Sequence, residues 1–187
     1  MSNAVSALNG KVAAGDVTVA EMGLQGMISL RGSFDAEDFV ATITHLVGVD
    51  FPDVRQIVSN GERSVAWMSP DELLILCPYD QAVSLTAQIA EALAEQHFLV
   101  ANVSDARALF SVTGPFAAEV LAKVAPVDFS ASAFAVGEVR RTRLAQVAGA
   151  VWKEQDGSLR VVCFRSVAHY TFDLLATSAK AGPVGVL

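Results

Sequence analysis

Ile28-Ser29-Leu30-Arg31-Gly32-Ser33-Phe34-Asp35-Ala36-Glu37 and Phe110-Ser111-Val112-Thr113-Gly114-Pro115-Phe116-Ala117-Ala118-Glu119 decide the fold, because they are the same unit written twice. In each, a run alternating apolar and polar residues ends at a glycine and passes into a helical pattern. That pattern carries Phe34, Phe39, Ile43 and Leu46 in the first copy and Phe116, Val120, Leu121 and Val124 in the second. Outward from these strings the parallel continues: Val49-Asp50-Phe51 answers Val127-Asp128-Phe129. Likewise Ala66-Trp67 leads to Leu73–Cys77 as Val151-Trp152 leads to Leu159–Cys163.

Turn chemistry divides the remainder. Asn60-Gly61, Ser69-Pro70-Asp71 and Asp156-Gly157 separate strands expected near 56–59, 63–68 and 72–77, and near 138–144, 146–153 and 158–164. A closing helix is expected over 81–95 and again over 167–177, the second capped by Ser166. Ser33 or Asp35 would cap the first internal helix, and Pro115 would open its counterpart. Leading strands over 18–22 and 98–103 complete β-β-α-β-β-β-α, twice, an α+β fold with pseudo-two-fold symmetry. Gly23 and Gly26 mark a hairpin. With no linker between the copies, the expectation is one composite domain over 16–178, its repeats spanning about 16–96 and 97–178. Residues 1–15 form a flexible N-terminal tail and 179–187 a C-terminal tail. Gly32 should stand on Gly114, Trp67 on Trp152 and Cys77 on Cys163.

Composition narrows the function. A formal net charge of -7 repels an extended phosphate backbone, which argues against nucleic acid. No stretch approaches the roughly 18 unbroken apolar residues of a membrane span, and no secretory leader is visible, so the chain is expected in the cytoplasm. Charged residues make up 18% where about 25% is usual, and the mean hydropathy is +0.43. So few charges point to an apolar patch that another chain covers, or else to an unusually full core.

Sites for chemistry are sparse. Cys77 and Cys163 lack metal or redox spacing and end apolar runs, as buried structural thiols do. His45, His97 and His169 pair with no ligand at metal spacing, and neither a nucleophile elbow nor a phosphate-binding glycine pattern occurs. The densest charge run is Arg140, Arg141 and Arg143. On a strand Arg141 and Arg143 share one face and Arg140 takes the other, either as a solvated face or as the rim of an interface with an acidic partner. Arg107 and Arg165 sit among apolar neighbours and must find a carboxylate or carbonyl.

Three strings occur in a telling order: Val103-Ser104-Asp105-Ala106-Arg107 running into Phe110–Pro115, then Gly137 to Val147 with its arginines, then Phe164-Arg165-Ser166 opening a helix. Together with the duplicated layout they resemble the gamma subunit family of heterotetrameric sarcosine oxidases, and through it the folate-binding fold of the glycine cleavage T-protein and of YgfZ-type proteins. The resemblance covers about 17–177. It implies a complex that oxidises sarcosine to glycine, passes the methyl carbon to tetrahydrofolate or releases formaldehyde, and reduces oxygen to peroxide.

The same resemblance implies no cofactor in this chain. FAD, FMN, NAD and folate would belong to the alpha and beta subunits and zinc to delta, with those three subunits as partners. Arg107 and Arg165 are then candidates for a vestigial pocket, and Arg140, Arg141 and Arg143 for the partner interface. The further C-terminal barrel of T-proteins and the cysteine motif of YgfZ-type proteins are both missing, which points to a scaffold, since function lives in sites rather than in folds. The alternatives are a free-standing folate-binding, aminomethyltransferase-like one-carbon protein and an unrelated dimerising module.

Overall fold

The computed structural model describes residues 4–185 and Leu187. In chain order the strands and helices are β1 (Val12–Ala13), β2 (Thr18–Glu21), β3 (Gly26–Arg31), α1 (Glu37–Val47), β4 (Ile57–Asn60), β5 (Arg63–Ser69), β6 (Glu72–Cys77) and α2 (Ala82–Ala92). They continue with β7 (Leu99–Asn102), β8 (Arg107–Thr113), α3 (Ala117–Ala122), β9 (Val139–Leu144), β10 (Val147–Lys153), β11 (Leu159–Phe164) and α4 (Ala168–Lys180). From β2 onward this is β-β-α-β-β-β-α twice, the expected α+β duplication. The paired landmarks fall on equivalent elements: Gly32 and Gly114 follow β3 and β8, Trp67 and Trp152 lie on β5 and β10, and Cys77 and Cys163 lie at the ends of β6 and β11.

Two antiparallel sheets result, ordered β1-β2-β8-β11-β10-β9 and β4-β5-β6-β3-β7. Each repeat supplies four strands of its own sheet, and its leading strand lies in the other. β2 pairs with β8, Thr18 opposite Thr113, and β7 pairs with β3, Arg31 opposite Leu99. The expected hairpin at Gly23 and Gly26 therefore does not form. Gly23 turns the chain at a φ of 76°, but both edges of β3 are already taken, by β6 and β7. The compact units accordingly cut across the repeats: one comprises the chain up to Leu24 with Ala106–Leu187, hereafter unit 1, and the other is Gln25–Asp105, unit 2.

Alternation places the cores. In unit 2, Ile28, Leu30, Val65, Leu73, Ile75 and Cys77 turn one sheet face onto Phe39, Ile43 and Val47 of α1 and Leu85 and Ile89 of α2. In unit 1, Phe110, Val112, Val151, Val161 and Cys163 meet Val120 and Leu121 of α3 and Phe172 and Leu175 of α4. β6 is buried along its whole length, so its charge needs partners. Glu72 receives Ser29 Oγ at 3.1 Å and Arg31 Nη2 at 2.8 Å.

Helix ends depart from expectation. α1 is preceded by Ala36 in extended backbone, not by a Ser33 or Asp35 cap, and Pro115 lies ahead of the Phe116 that precedes α3. At the start of α4 a single 3₁₀ turn, Arg165–Val167, occupies the place expected of a Ser166 cap. Backbone bonds of these tight turns, such as Ala36 N–H to Ser33 O at 3.3 Å and Ala117 N–H to Gly114 O at 3.2 Å, engage the end groups instead. The C-terminus of α1 is closed by Gly48 at a φ of 71°. Arg63 also donates to the carbonyls of Leu46 and Val47, both at 3.2 Å.

The described part of the N-terminal segment is not the loose tail expected. The Glu21 carboxylate accepts Ser6 Oγ at 2.8 Å, Leu8 N–H at 3.1 Å and Gly10 N–H at 2.6 Å, and β1 adds to the edge of β2. Lys11 pairs with Asp173 at 3.0 Å and lies over the Phe172 ring at 4.5 Å. The C-terminal tail is likewise tied down as far as it is described. Val184 and Gly185 N–H donate to the buried Glu119 carboxylate, and Lys123 Nζ donates to Gly182 O at 2.6 Å. The expected tail also includes Val186, which lies outside the described residues.

Candidate functional site

Among the described residues no group of three or more His, Cys, Asp or Glu side chains could hold a metal ion. No described helix is long and apolar enough to cross a membrane. His45, His97 and His169 are all exposed, while Cys77 and Cys163 are free and buried. Burial pushes both thiols above their ordinary value, and at Cys163 the nearby Thr171 and Arg107 only partly oppose it. Neutral thiols of this kind are poor nucleophiles and poor ligands.

The arginines of β9 separate as strand alternation requires. Arg140 turns toward the core side, where Nη2 reaches Glu138 Oε1 at 3.0 Å and Ala133 O at 3.1 Å, and the guanidinium lies 5.5 Å from the Phe134 ring centroid. Its side chain is only 19% exposed and that of Glu138 17%, so Arg140 holds the loop before β9. Arg141 and Arg143 are exposed on the opposite face, and Arg143 donates to Gln146 O at 3.2 Å.

Arg107 and Arg165 are engaged by different groups. The Arg107 guanidinium stacks on Phe164, 4.1 Å from the ring centroid. Arg165 Nη2 binds the carbonyls of Val5 and Ser6 at 2.9 and 3.2 Å, so it anchors the N-terminal segment.

Two features escaped the sequence reading. The first is the exposure of Phe164, 47% open at the end of a mostly buried strand. The signal was present, since alternation after Cys163 turns Phe164 away from the helices. The second is a cavity of about 750 Å³ in unit 1, lined by Ala13–Val17, Phe116 and the α4 side chains Asp173, Ala176 and Thr177. It depends on where the N-terminal segment lands, which no local pattern encodes. Most of the large apolar side chains left exposed, including Met22, Leu24, Phe116, Phe164 and Tyr170, belong to unit 1; Val54, Val83 and Leu99 are those of unit 2.

The fold has known counterparts. It matches a chain of the heterotetrameric sarcosine oxidase from Corynebacterium sp. U-96 in complex with pyrrole 2-carboxylate, with a TM-score of 0.82 at 24% identity over 94% of this chain and 91% of that one. It also matches the glycine cleavage system aminomethyltransferase T from Bartonella henselae, with a TM-score of 0.64 at 12% identity over 86% of this chain, but spans only 45% of that longer chain. In sequence it is 27% identical over 160 residues to the sarcosine oxidase subunit gamma of Corynebacterium sp. (strain P-1), covering 84% of this chain and 77% of the relative. It is 26% identical over 173 residues to the subunit gamma of an Arthrobacter species, covering 89% and 84%. The model of the sarcosine oxidase, gamma subunit family matches residues 31–181, from the end of β3 through α4, and the chain belongs to that family.

Proposed function

We propose that this chain is the non-catalytic gamma subunit of a cytoplasmic heterotetrameric sarcosine oxidase. In this reading it is a scaffold that meets alpha, beta and delta subunits and leaves the chemistry to them. The family match over 31–181 carries the reading. The side chains agree with it: the thiols are held neutral, the histidines stand apart, and Arg107, Arg140 and Arg165 are engaged in stacking or in holding loops. No zinc donor set is assembled among the described residues. We assign zinc, the flavins, NAD and folate to the partner subunits, where sarcosine would be demethylated to glycine.

Co-expression with the other three subunits, followed by capture through a tag on beta, tests this. The chain should co-purify in equal amount, and alone it should be colourless and unable to oxidise sarcosine. Failure to co-purify would overturn the assignment. Micromolar tetrahydrofolate binding by the isolated chain in calorimetry would favour the free-standing one-carbon reading instead.

A further inference from the structure

The registers of unit 1 draw four side chains into a line. Arg143 faces Ala148 between β9 and β10, and Phe164 faces Arg107 between β11 and β8. One step beyond the Gly149–Cys163 pair sets Ala148 beside Phe164. Directly opposed residues share a face, and at a strand spacing of about 4.8 Å the line runs roughly 14 Å across four strands. This face is opposite the one that carries Ala108, Leu144, Val161 and Cys163 onto the helices.

The row marks a border. Two residues further along the strands, on the same face, Leu109, Val162 and Ala150 are buried. In the row itself Arg143 and Ala148 are exposed and Phe164 is 47% open. Arg107 stacks on the Phe164 ring, which fixes a flat apolar surface in place. Ala148 keeps the space between ring and Arg143 low. Arg143 spends part of its fork on Gln146 O and retains further N–H donors in the guanidinium plane.

We propose that this row is a docking surface for another subunit of the same enzyme, and that it receives a segment in which a carboxylate neighbours an apolar side chain. The apolar group lies on the Phe164 ring and the carboxylate meets Arg143. Charge complementarity selects the acidic partner: on a chain of net charge -7, guanidinium groups at both ends of an apolar row are a local exception that favours an anionic segment. Phenylalanine and arginine are also among the residues enriched at protein interfaces. The inference rests on the gamma subunit reading above.

The test is co-expression of the full complex with gamma either unchanged or carrying Phe164→Glu, Arg143→Glu or, as a control on an exposed apolar position of α2, Val83→Glu. Phe164→Glu and Arg143→Glu should each lower recovery of gamma on tagged beta by about tenfold, with melting of the isolated chain unchanged, and Val83→Glu should assemble normally. Arg143→Glu should also flatten the salt dependence of the association rate. Normal assembly of both variants overturns the docking surface but leaves the subunit reading standing; loss of assembly with the unchanged chain fails that reading first. Should Phe164→Glu misfold, the exposed Arg143→Glu decides alone. A gamma dimer that Phe164→Glu dissolves without affecting the complex would show a second copy as occupant and overturn the proposal.

Discussion

A Cβ on Gly114 would stand 2.1 Å from the carbonyl oxygen of Asp16, and the backbone there has a φ of 122°. Its counterpart in the first repeat is constrained differently. A Cβ on Gly32 would meet the Phe39 ring at 2.2 Å, with no unusual φ. Gly114→Ala should therefore destabilise by ~3 kcal/mol or more, because both backbone strain and a backbone clash oppose it. Gly32→Ala should cost about 1–3 kcal/mol, since a side chain can give way. Urea unfolding of the two variants measures the difference; nearly equal approach distances would leave the two about level if space alone mattered.

The buried thiols give the protein an alkaline limit. Cys77 and Cys163 are raised by burial above an ordinary value of 9.0, so the unfolded chain loses these protons first as pH rises. Their contribution to stability is whole below that value and is lost as pH climbs through it toward the folded values, by at most about 1.4 kcal/mol per pH unit per thiol. Thermal melts should fall between pH 8.5 and about pH 10, and Cys163→Ala, though less stable throughout, should fall less steeply. Neither thiol should react with Ellman's reagent until the chain unfolds.

Glu119 anchors the C-terminal tail through the amides of Val184 and Gly185. Glu119→Ala leaves those donors without their acceptor and should cost about 1–3 kcal/mol. Glu119→Gln, which keeps an acceptor oxygen but not the charge, should cost less. Hydrogen exchange at residues 184 and 185 should quicken in the same order.

The N-terminal segment should open when its holders are removed. Glu21→Ala withdraws the acceptor for Ser6, Leu8 and Gly10, and Arg165→Ala withdraws the donor to the Val5 and Ser6 carbonyls. Either change should speed proteolysis before β1 about tenfold, equivalent to ~1.4 kcal/mol of local opening. Sites in unit 2 should be cut no faster.

Much of this molecule is legible in its residues. Leu73–Cys77 and Leu159–Cys163 are apolar runs that each follow a turn signal, so β6 and β11 emerge within a residue or two of expectation, and strand alternation then assigns the faces. The same alternation separates Arg140 from Arg141 and Arg143. What Arg140 holds is not legible, because Glu138, Ala133 and Phe134 reach it through loop geometry. The N-terminal segment misleads for a similar reason: its small polar residues look like a tail, while Arg165 and Asp173, which pin it, lie at the far end of the chain. The strand exchange is illegible because Thr18–Glu21 suits any open sheet edge, and only the assembled sheets show which edge remains.

That exchange also sets an order of events on the ribosome. Every strand partner in the sheet of β3 lies between Gly26 and Asn102, so unit 2 can close as soon as β7 has left the exit tunnel. β2 is synthesised before any of it, and β1 can cover one of its edges, yet the other edge pairs with Phe110–Thr113. The earliest strands of the nascent chain thus wait with one edge open while a whole neighbour folds behind them, and the first segment to be made is among the last to find its place.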